Sequence, residues 1–507
     1  MRNIKRSTRS LAIVLCLIWQ PFVQAEDAKA SAPAPEPEAK MQVTQHKATI
    51  NGKSIKYSVH AGDTHLKDKK GKLTASIFSI AYIREDVDKR SQRPLLFVFN
   101  GGPGSSSVWM HMGLFGPKRV VLPSDATNVG APPFPVENNP QSLLDVADMV
   151  FIDPVGTGYS IPLGEKKGKD FWGVNEDAAS LAEFIRVFIT KNKRWNSPKY
   201  LSGESYGTTR AAALVKSLQE GWGSIDLNGV MLISSILDFQ TGDFTDGNDL
   251  PFVTFLPTYA ATAWYHNAID KSQYKNLQEF VEEVRQFALN DYASVLLKGA
   301  LASEQEVSAV VNKLHQYTGL NENYIRQSNI RINEFAFMKE LLRDRGEVVG
   351  RLDSRYIGED ANKVSSRFEA DPASYAIDGA YTAALQDYMA NELDVLREER
   401  YNVLSGEVFS NWNWLYGDSP RSQGFVSMTP NLARAMRQNK DFRVFIANGY
   451  FDLATPFFAT EYSMNHFGIN KDKVTLTYYE AGHMMYIHQP SLDQLTKDIR
   501  AFITPKK

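Results

Sequence analysis

Cysteine is almost absent from this chain: Cys16 is the only one among 507 residues. It lies inside an N-terminal leader-like segment, so the rest of the chain has no thiol. That excludes a disulfide framework, a cysteine nucleophile and a thiolate metal site there. His-Glu-x-x-His does not occur, and His483 and His488 are five apart, not the three or four of a helical ligand pair. No metal and no cofactor is expected. Positive charge is not in excess either, with 56 Lys and Arg against 58 Asp and Glu and a formal net charge of −2. Phosphate binding needs a basic face, so nucleic acid is not an expected partner.

Long apolar runs are equally scarce. The one candidate, "LAIVLCLIW" (Leu11 to Trp19), is short for a membrane span of about 20 residues. Arg2, Lys5, Arg6 and Arg9 precede it, and Val23-Gln24-Ala25 follows as a small-residue cleavage site, so residues 1–25 are expected to be a secretory signal peptide. A signal anchor left in place is the alternative. Leu15 stands where a lipoprotein signal wants a small residue, which argues against a lipid anchor. Loss of a leader with four cations and no acid would change the net charge from −2 to −6. An exported chain without disulfides fits a bacterial periplasm or exterior, with no membrane partner once the leader is gone.

Residues 26–41, rich in Ala, Pro and charge, are expected to form a disordered spacer. Two β-like runs follow, "SIKYSVHAG" and "LTASIFSIAYI", as an antiparallel lead-in. Then come short, nearly continuous apolar runs: "PLLFVFN", "ADMVFIDP", "KYLSG", "VMLIS", "RVFIANG" and "VTLTYYE". Such runs suit strands buried on both faces, hence a parallel sheet between helices. "NEDAASLAEFIRVFITK" is expected as one covering helix with Asn175 as its N-cap, and "TTRAAALVKSLQEG" as a second. Between these parts the chain turns charged and amphipathic with helical periodicity. The expected division is a core over 42–239, a helical cap insertion over 240–405 and a second core part over 406–507.

Several motifs carry chemistry. In "YLSGESYGTT", Gly203 and Gly207 flank Glu204-Ser205-Tyr206, the spacing of a strained strand-to-helix turn presenting a nucleophilic hydroxyl. "YYEAGHMMYIHQP" puts His483 just past a strand, and "VFIANGYFDLATP" puts Asp452 after the preceding one. The order Ser205, Asp452, His483 is that of an α/β-hydrolase, with each residue at the carboxyl end of a strand. Taken singly, His483 could be a core histidine and Asp452 a turn former; together they read as nucleophile, base and orienting acid. "FNGGPGSSS" leaves a strand into glycines whose N–H groups can approach an oxyanion, and Gly102 and Tyr206 are the candidate donors. No Gly-Lys-Ser/Thr continues that loop, and proline follows its second glycine, so a phosphate cradle fits poorly.

These four motifs, with "VFIDPVGTGYS" as a fifth, resemble in order and separation those of the serine carboxypeptidase family, over about 45–240 and from 405 onward. The resemblance implies an α/β-hydrolase fold, peptide substrates and removal of C-terminal residues, with the homodimer known in such families left undetermined. It also implies that Asn100, Gly101 and Glu204 contact the substrate's terminal carboxylate. A carboxylate meeting a carboxylate requires a shared proton, so Glu204 would have to be protonated, favouring acidic pH. Three positions depart from the family pattern. Ser105 replaces its cysteine, Gly207-Thr208-Thr209-Arg210 replaces its Gly-Gly-His, and no acid stands near Leu114, where a second carboxylate-binding glutamate is usual. His111 and Arg210 are candidate substitutes by charge. The missing acid keeps open an esterase or acyltransferase on the same fold, and a binding protein with a dead site is a third reading.

Overall fold

The computed structural model describes residues 37–220, 223–417 and 424–504. The expected signal peptide, and the expected spacer up to residue 36, lie outside them. From Met41 the chain enters a central sheet through β1 (Met41–Ile50), β2 (Lys53–Lys67) and β3 (Leu73–Arg84), all antiparallel neighbours. β4 (Leu95–Phe99), β5 (Asp148–Ile152), β6 (Lys199–Ser205), β7 (Gly229–Ser235), β8 (Arg443–Gly449) and β9 (Val474–Tyr479) follow. The order across the sheet is β1-β2-β3-β5-β4-β6-β7-β8-β9, and from β5 onward every neighbouring pair is parallel.

Alternation explains why these runs are apolar throughout. In β4, Leu96 and Val98 enter the core on one face, while Leu95, Phe97 and Phe99 enter the core on the other. A strand with both faces covered has no polar phase. One covering helix is α1 (Val174–Lys191), with Leu181, Phe184, Ile185 and Phe188 buried against the sheet. Its cap differs from expectation. Gly173 is the N-cap, in extended conformation, and Asn175 is the second helical residue, its amide donating to the Leu415 carbonyl at 3.3 Å. β1 was not anticipated, because most of its residues are exposed and an edge strand needs no apolar run.

The second covering helix, α2 (Tyr206–Gln219), starts at the residue after Ser205. Between β7 and β8 lie α3 (Leu250–Tyr265), α4 (Leu277–Phe287), α5 (Glu304–Thr318) and α6 (Pro372–Asn391). α3, α4 and α5 share an apolar core with Tyr450, Phe451 and Leu453 from the loop after β8. α5 opens with a capping box, in which Ser303 and Glu306 satisfy each other's backbone N–H groups. α6 packs elsewhere, placing Ala380, Tyr381 and Ala384 with Met110 and Leu114 over the sheet. Because β4, β6, β8 and β9 run parallel, the loops that follow them open on one edge of the sheet.

Candidate active site

Ser205 sits at the turn from β6 into α2 with φ 60° and ψ −130°. A non-glycine residue there costs about 1–3 kcal/mol, held by the surroundings. The flanking glycines are required by close approach. A Cβ at Gly203 would meet the Gly207 carbonyl oxygen at 2.0 Å, and one at Gly207 would meet the Asn100 oxygen at 2.9 Å. A Cβ at Gly101 would lie 2.6 Å from the Tyr206 nitrogen. The strand-to-helix turn and the "NGGPG" loop are therefore packed backbone to backbone.

His483 follows β9, and its Nδ1 lies 2.8 Å from Asp452 Oδ2. Asp452 is fully buried, and its Oδ1 accepts from the N–H groups of Ala454 and Thr455, each at 2.9 Å. The Thr455 hydroxyl donates to Oδ2 at 2.6 Å. Four donors thus fix this carboxylate, and it fixes the ring through Nδ1. Burial alone would lower the imidazole's pKa. The Asp452 charge and hydrogen bond outweigh it, with help from Glu204, and raise it above the ordinary histidine value. Ser205 and His483 line the same cavity of about 400 Å³, and Ser205 Oγ makes no hydrogen bond among the described residues. Catalytic contacts of this kind often tighten only when substrate is present.

Glu204 is buried beside Ser205. Tyr486 donates to its Oε2 at 2.6 Å and Asn100 Nδ2 to its Oε1 at 3.2 Å. Burial pushes its pKa up to about 7, although the His483 charge and both hydrogen bonds pull the other way. Asn100 is itself held, its Oδ1 accepting from the Met110 N–H at 3.1 Å. Asn100, Gly101, Gly102 and Glu204 all line the cavity with Ser205 and His483. Gly102 has φ 98°, and its N–H donates to no protein acceptor among the described residues. The Tyr206 N–H opens α2, where a helix supplies no internal acceptor. Its ring packs away against Trp412 and Trp414.

Neither proposed substitute for the absent acid reaches the cavity. His111 is buried with Nε2 2.6 Å from the Tyr82 hydroxyl, stacked on Phe151, and burial pushes its pKa down to about 3. Arg210 is buried against Asp177 at 2.6 Å and donates to the Asn100 carbonyl. Its duty is to hold the loop that carries Asn100. Tyr486 and Thr455 went unnoticed in the sequence, although both stand three residues from a triad candidate. A cap segment, Arg351 to Tyr356, also belongs to the site and left no signal in the sequence. It bonds the loops of His483 and Asp452, with His483 N–H donating to the Leu352 carbonyl at 2.6 Å and Leu453 N–H to that of Arg351 at 3.1 Å.

A family model described as serine carboxypeptidase matches residues 71–496. The chain belongs to the serine carboxypeptidase family. Among curated relatives, serine carboxypeptidase-like 36 of Arabidopsis thaliana is 22% identical over 420 residues, covering 81% of this chain and 72% of that protein. Serine carboxypeptidase-like 13 of the same plant is 29% identical over 165 residues, 32% of this chain and 36% of that protein. The chain spans 36%, 43% and 43% of the length of the first three curated relatives it matches. Among solved structures, KEX1, a prohormone-processing carboxypeptidase from Saccharomyces cerevisiae, superposes with a TM-score of 0.53. It is 17% identical, covering 88% of this chain and 90% of that one, a likeness of fold. The fold of this family member is thus the α/β-hydrolase fold expected from its motifs.

Proposed function

We propose that this family member is a serine carboxypeptidase that removes C-terminal residues from peptides. Ser205 Oγ attacks the last peptide carbonyl as His483 takes its proton, and the N–H groups of Gly102 and Tyr206 receive the developing oxyanion. His483 then gives the proton to the leaving amine, which departs as the free amino acid and leaves an acyl-enzyme. Water repeats the cycle and releases the shortened peptide. Asp452 holds the imidazole's tautomer and stabilises its charged form.

The observation that carries this reading over general ester hydrolysis is the state of Glu204. A buried carboxyl whose pKa is pushed up to about 7 is neutral below that pH and can share its proton with a substrate carboxylate. Asn100 and Gly101 line the cavity beside it. The second reading, an esterase or acyltransferase, is favoured by one feature: buried Leu114 stands where the family has a second acid, with its carbonyl committed to Asn139. Hydrolysis of one N-blocked dipeptide as free acid and as C-terminal amide, beside Ser205→Ala, separates the two. Ser205-dependent preference for the free acid is expected, and equal or better turnover of the amide overturns the reading. Export through the leader also belongs to the proposal. Among the described residues no helix is long and apolar enough to cross a membrane.

A further inference from the structure

The segment Arg351 to Tyr356 is pinned from several sides. Beyond the bonds from Leu453 and His483, Ser354 N–H donates to the Phe451 carbonyl at 2.9 Å. Asp353 is clamped by the Arg355 guanidinium at 2.6 Å and accepts from the Gly482 N–H at 3.2 Å. The Asp371 carboxylate accepts the N–H groups of Arg351 and Leu352 at 2.9 and 3.1 Å, and that of Ala373 at the start of α6. The backbone of Arg351 is therefore fixed at the cavity wall, between the loops of Asp452 and His483.

Its side chain is not fixed in the same way. Arg355, Arg210 and Arg93 each hold a buried carboxylate within 2.7 Å. Arg351 is half-buried, lines the cavity, and its guanidinium makes no hydrogen bond or ion pair among the described residues. The nearby acids are already engaged or weakened. Asp371 is spent on backbone N–H groups. Asp378 lines the cavity with an exposed side chain and makes no hydrogen bond or ion pair with Arg351, and desolvation with the Asp371 charge pushes its pKa up to about 7. Burial raises the pKa of Glu334, with the Arg351 charge pulling it back in part, and the two make no ion pair. A guanidinium held in a partly desolvated cavity without a carboxylate calls for one from outside.

We propose that Arg351 binds a carboxylate of the substrate on the leaving-group side of the site and so sets specificity for the released residue. The side follows from Leu352, whose carbonyl holds the backbone of His483, the group that protonates the leaving amine. The proposal rests on the serine hydrolase reading and deepens it, since this cation would do the work of the absent second acid without needing a shared proton. The carboxylate could be the chain terminus or an acidic side chain, which present the same chemistry.

Three N-blocked dipeptides separate these sources: a neutral one as free acid, the same one as amide, and an amide with glutamate as the leaving residue. Arg351→Gln is expected to lower kcat/KM about ten- to hundredfold wherever a carboxylate is read, mainly through KM, with Arg351→Lys restoring part. Loss confined to the free acid assigns the terminus, and loss confined to the glutamate amide assigns the side chain. Equal loss on all three, or none on any, overturns the proposal. Arg351 also lowers the pKa of His483, while Glu204 and Asp452 raise it. Arg351→Gln should therefore move the acid limb of the rate profile to higher pH, which a purely structural role would not do. Calorimetric binding of N-acetylphenylalanine is read alongside, to wild type and Arg351→Gln. Weaker binding by the variant sustains the role of Arg351 at the terminus even if turnover fails the carboxypeptidase reading, and unchanged binding together with unchanged turnover of the glutamate amide overturns the proposal.

Discussion

The sheet edge and the helical segment between β7 and β8 contribute to one cavity in different ways. From the sheet come Ser205, Asp452, His483 and the "NGGPG" loop, each set within a few residues of a strand end. Their positions are fixed by backbone packing so tight that a Cβ at Gly449 would meet the Gly482 carbonyl oxygen at 2.3 Å. From the helical segment come Arg351, Leu352, Phe368, Asp371, Ser374 and Asp378, with Arg351 and Leu352 held by backbone hydrogen bonds to the loops beneath and by the Asp371 carboxylate. On the proposed reading, chemistry sits on the sheet edge and selection on the segment whose side chains can be exchanged without disturbing strands.

That division can be broken most severely at Ser205, the proposed nucleophile. Ser205→Ala should cost about 10⁴-fold or more in kcat on any substrate while leaving the fold intact, as thermal melting and steady-state kinetics would read. Asp452→Asn comes next. It leaves the shape but loses the carboxylate that holds His483 Nδ1, and roughly a 10⁴-fold loss in kcat with nearly unchanged KM is expected. Gly203→Ala acts on geometry alone. Its methyl must displace the Gly207 backbone, so the turn shifts and kcat should fall about 10²-fold, with a lowered melting temperature. A change on the helical side should behave differently. Asp371→Ala removes the acceptor of three backbone N–H groups and should raise KM about tenfold on peptides while barely changing turnover of a small ester. If that variant lost kcat on the ester as heavily as Gly203→Ala, the division between chemistry and selection would fail.

The same contrast explains what could be read from the chain. The parallel strands were legible because burial on both faces leaves unbroken apolar runs such as "LLFVF". The triad candidates were legible because strand-end turns demand glycine and small residues at fixed spacing. β1 was missed since an exposed edge carries no such run, and the Gly173 cap was misassigned to Asn175 because either residue can start a helix. Arg351 and Asp371 left no local trace. Their role depends on a chain that crosses from the helical segment onto loops about a hundred residues away, a contact that periodicity and motif spacing do not encode.

The claim at the centre of this account is that Glu204 meets a substrate carboxylate while His483 acts as the base, two demands with opposite dependence on pH. His483 must be neutral, so activity should rise as pH passes its raised pKa. Glu204 must be protonated to accept a carboxylate, so activity on a free acid should fall again as pH passes about 7. An amide makes only the first demand. The most direct measurement is kcat/KM against pH, from 5 to 9, for one blocked dipeptide as free acid and as amide, in wild type and Glu204→Gln. The account predicts a bell for the acid and a single ascending limb for the amide in wild type. In Glu204→Gln the descending limb should vanish and the ascending limb move to lower pH, because the charge that raised His483 is gone. Profiles of the same shape for acid and amide in wild type would contradict it.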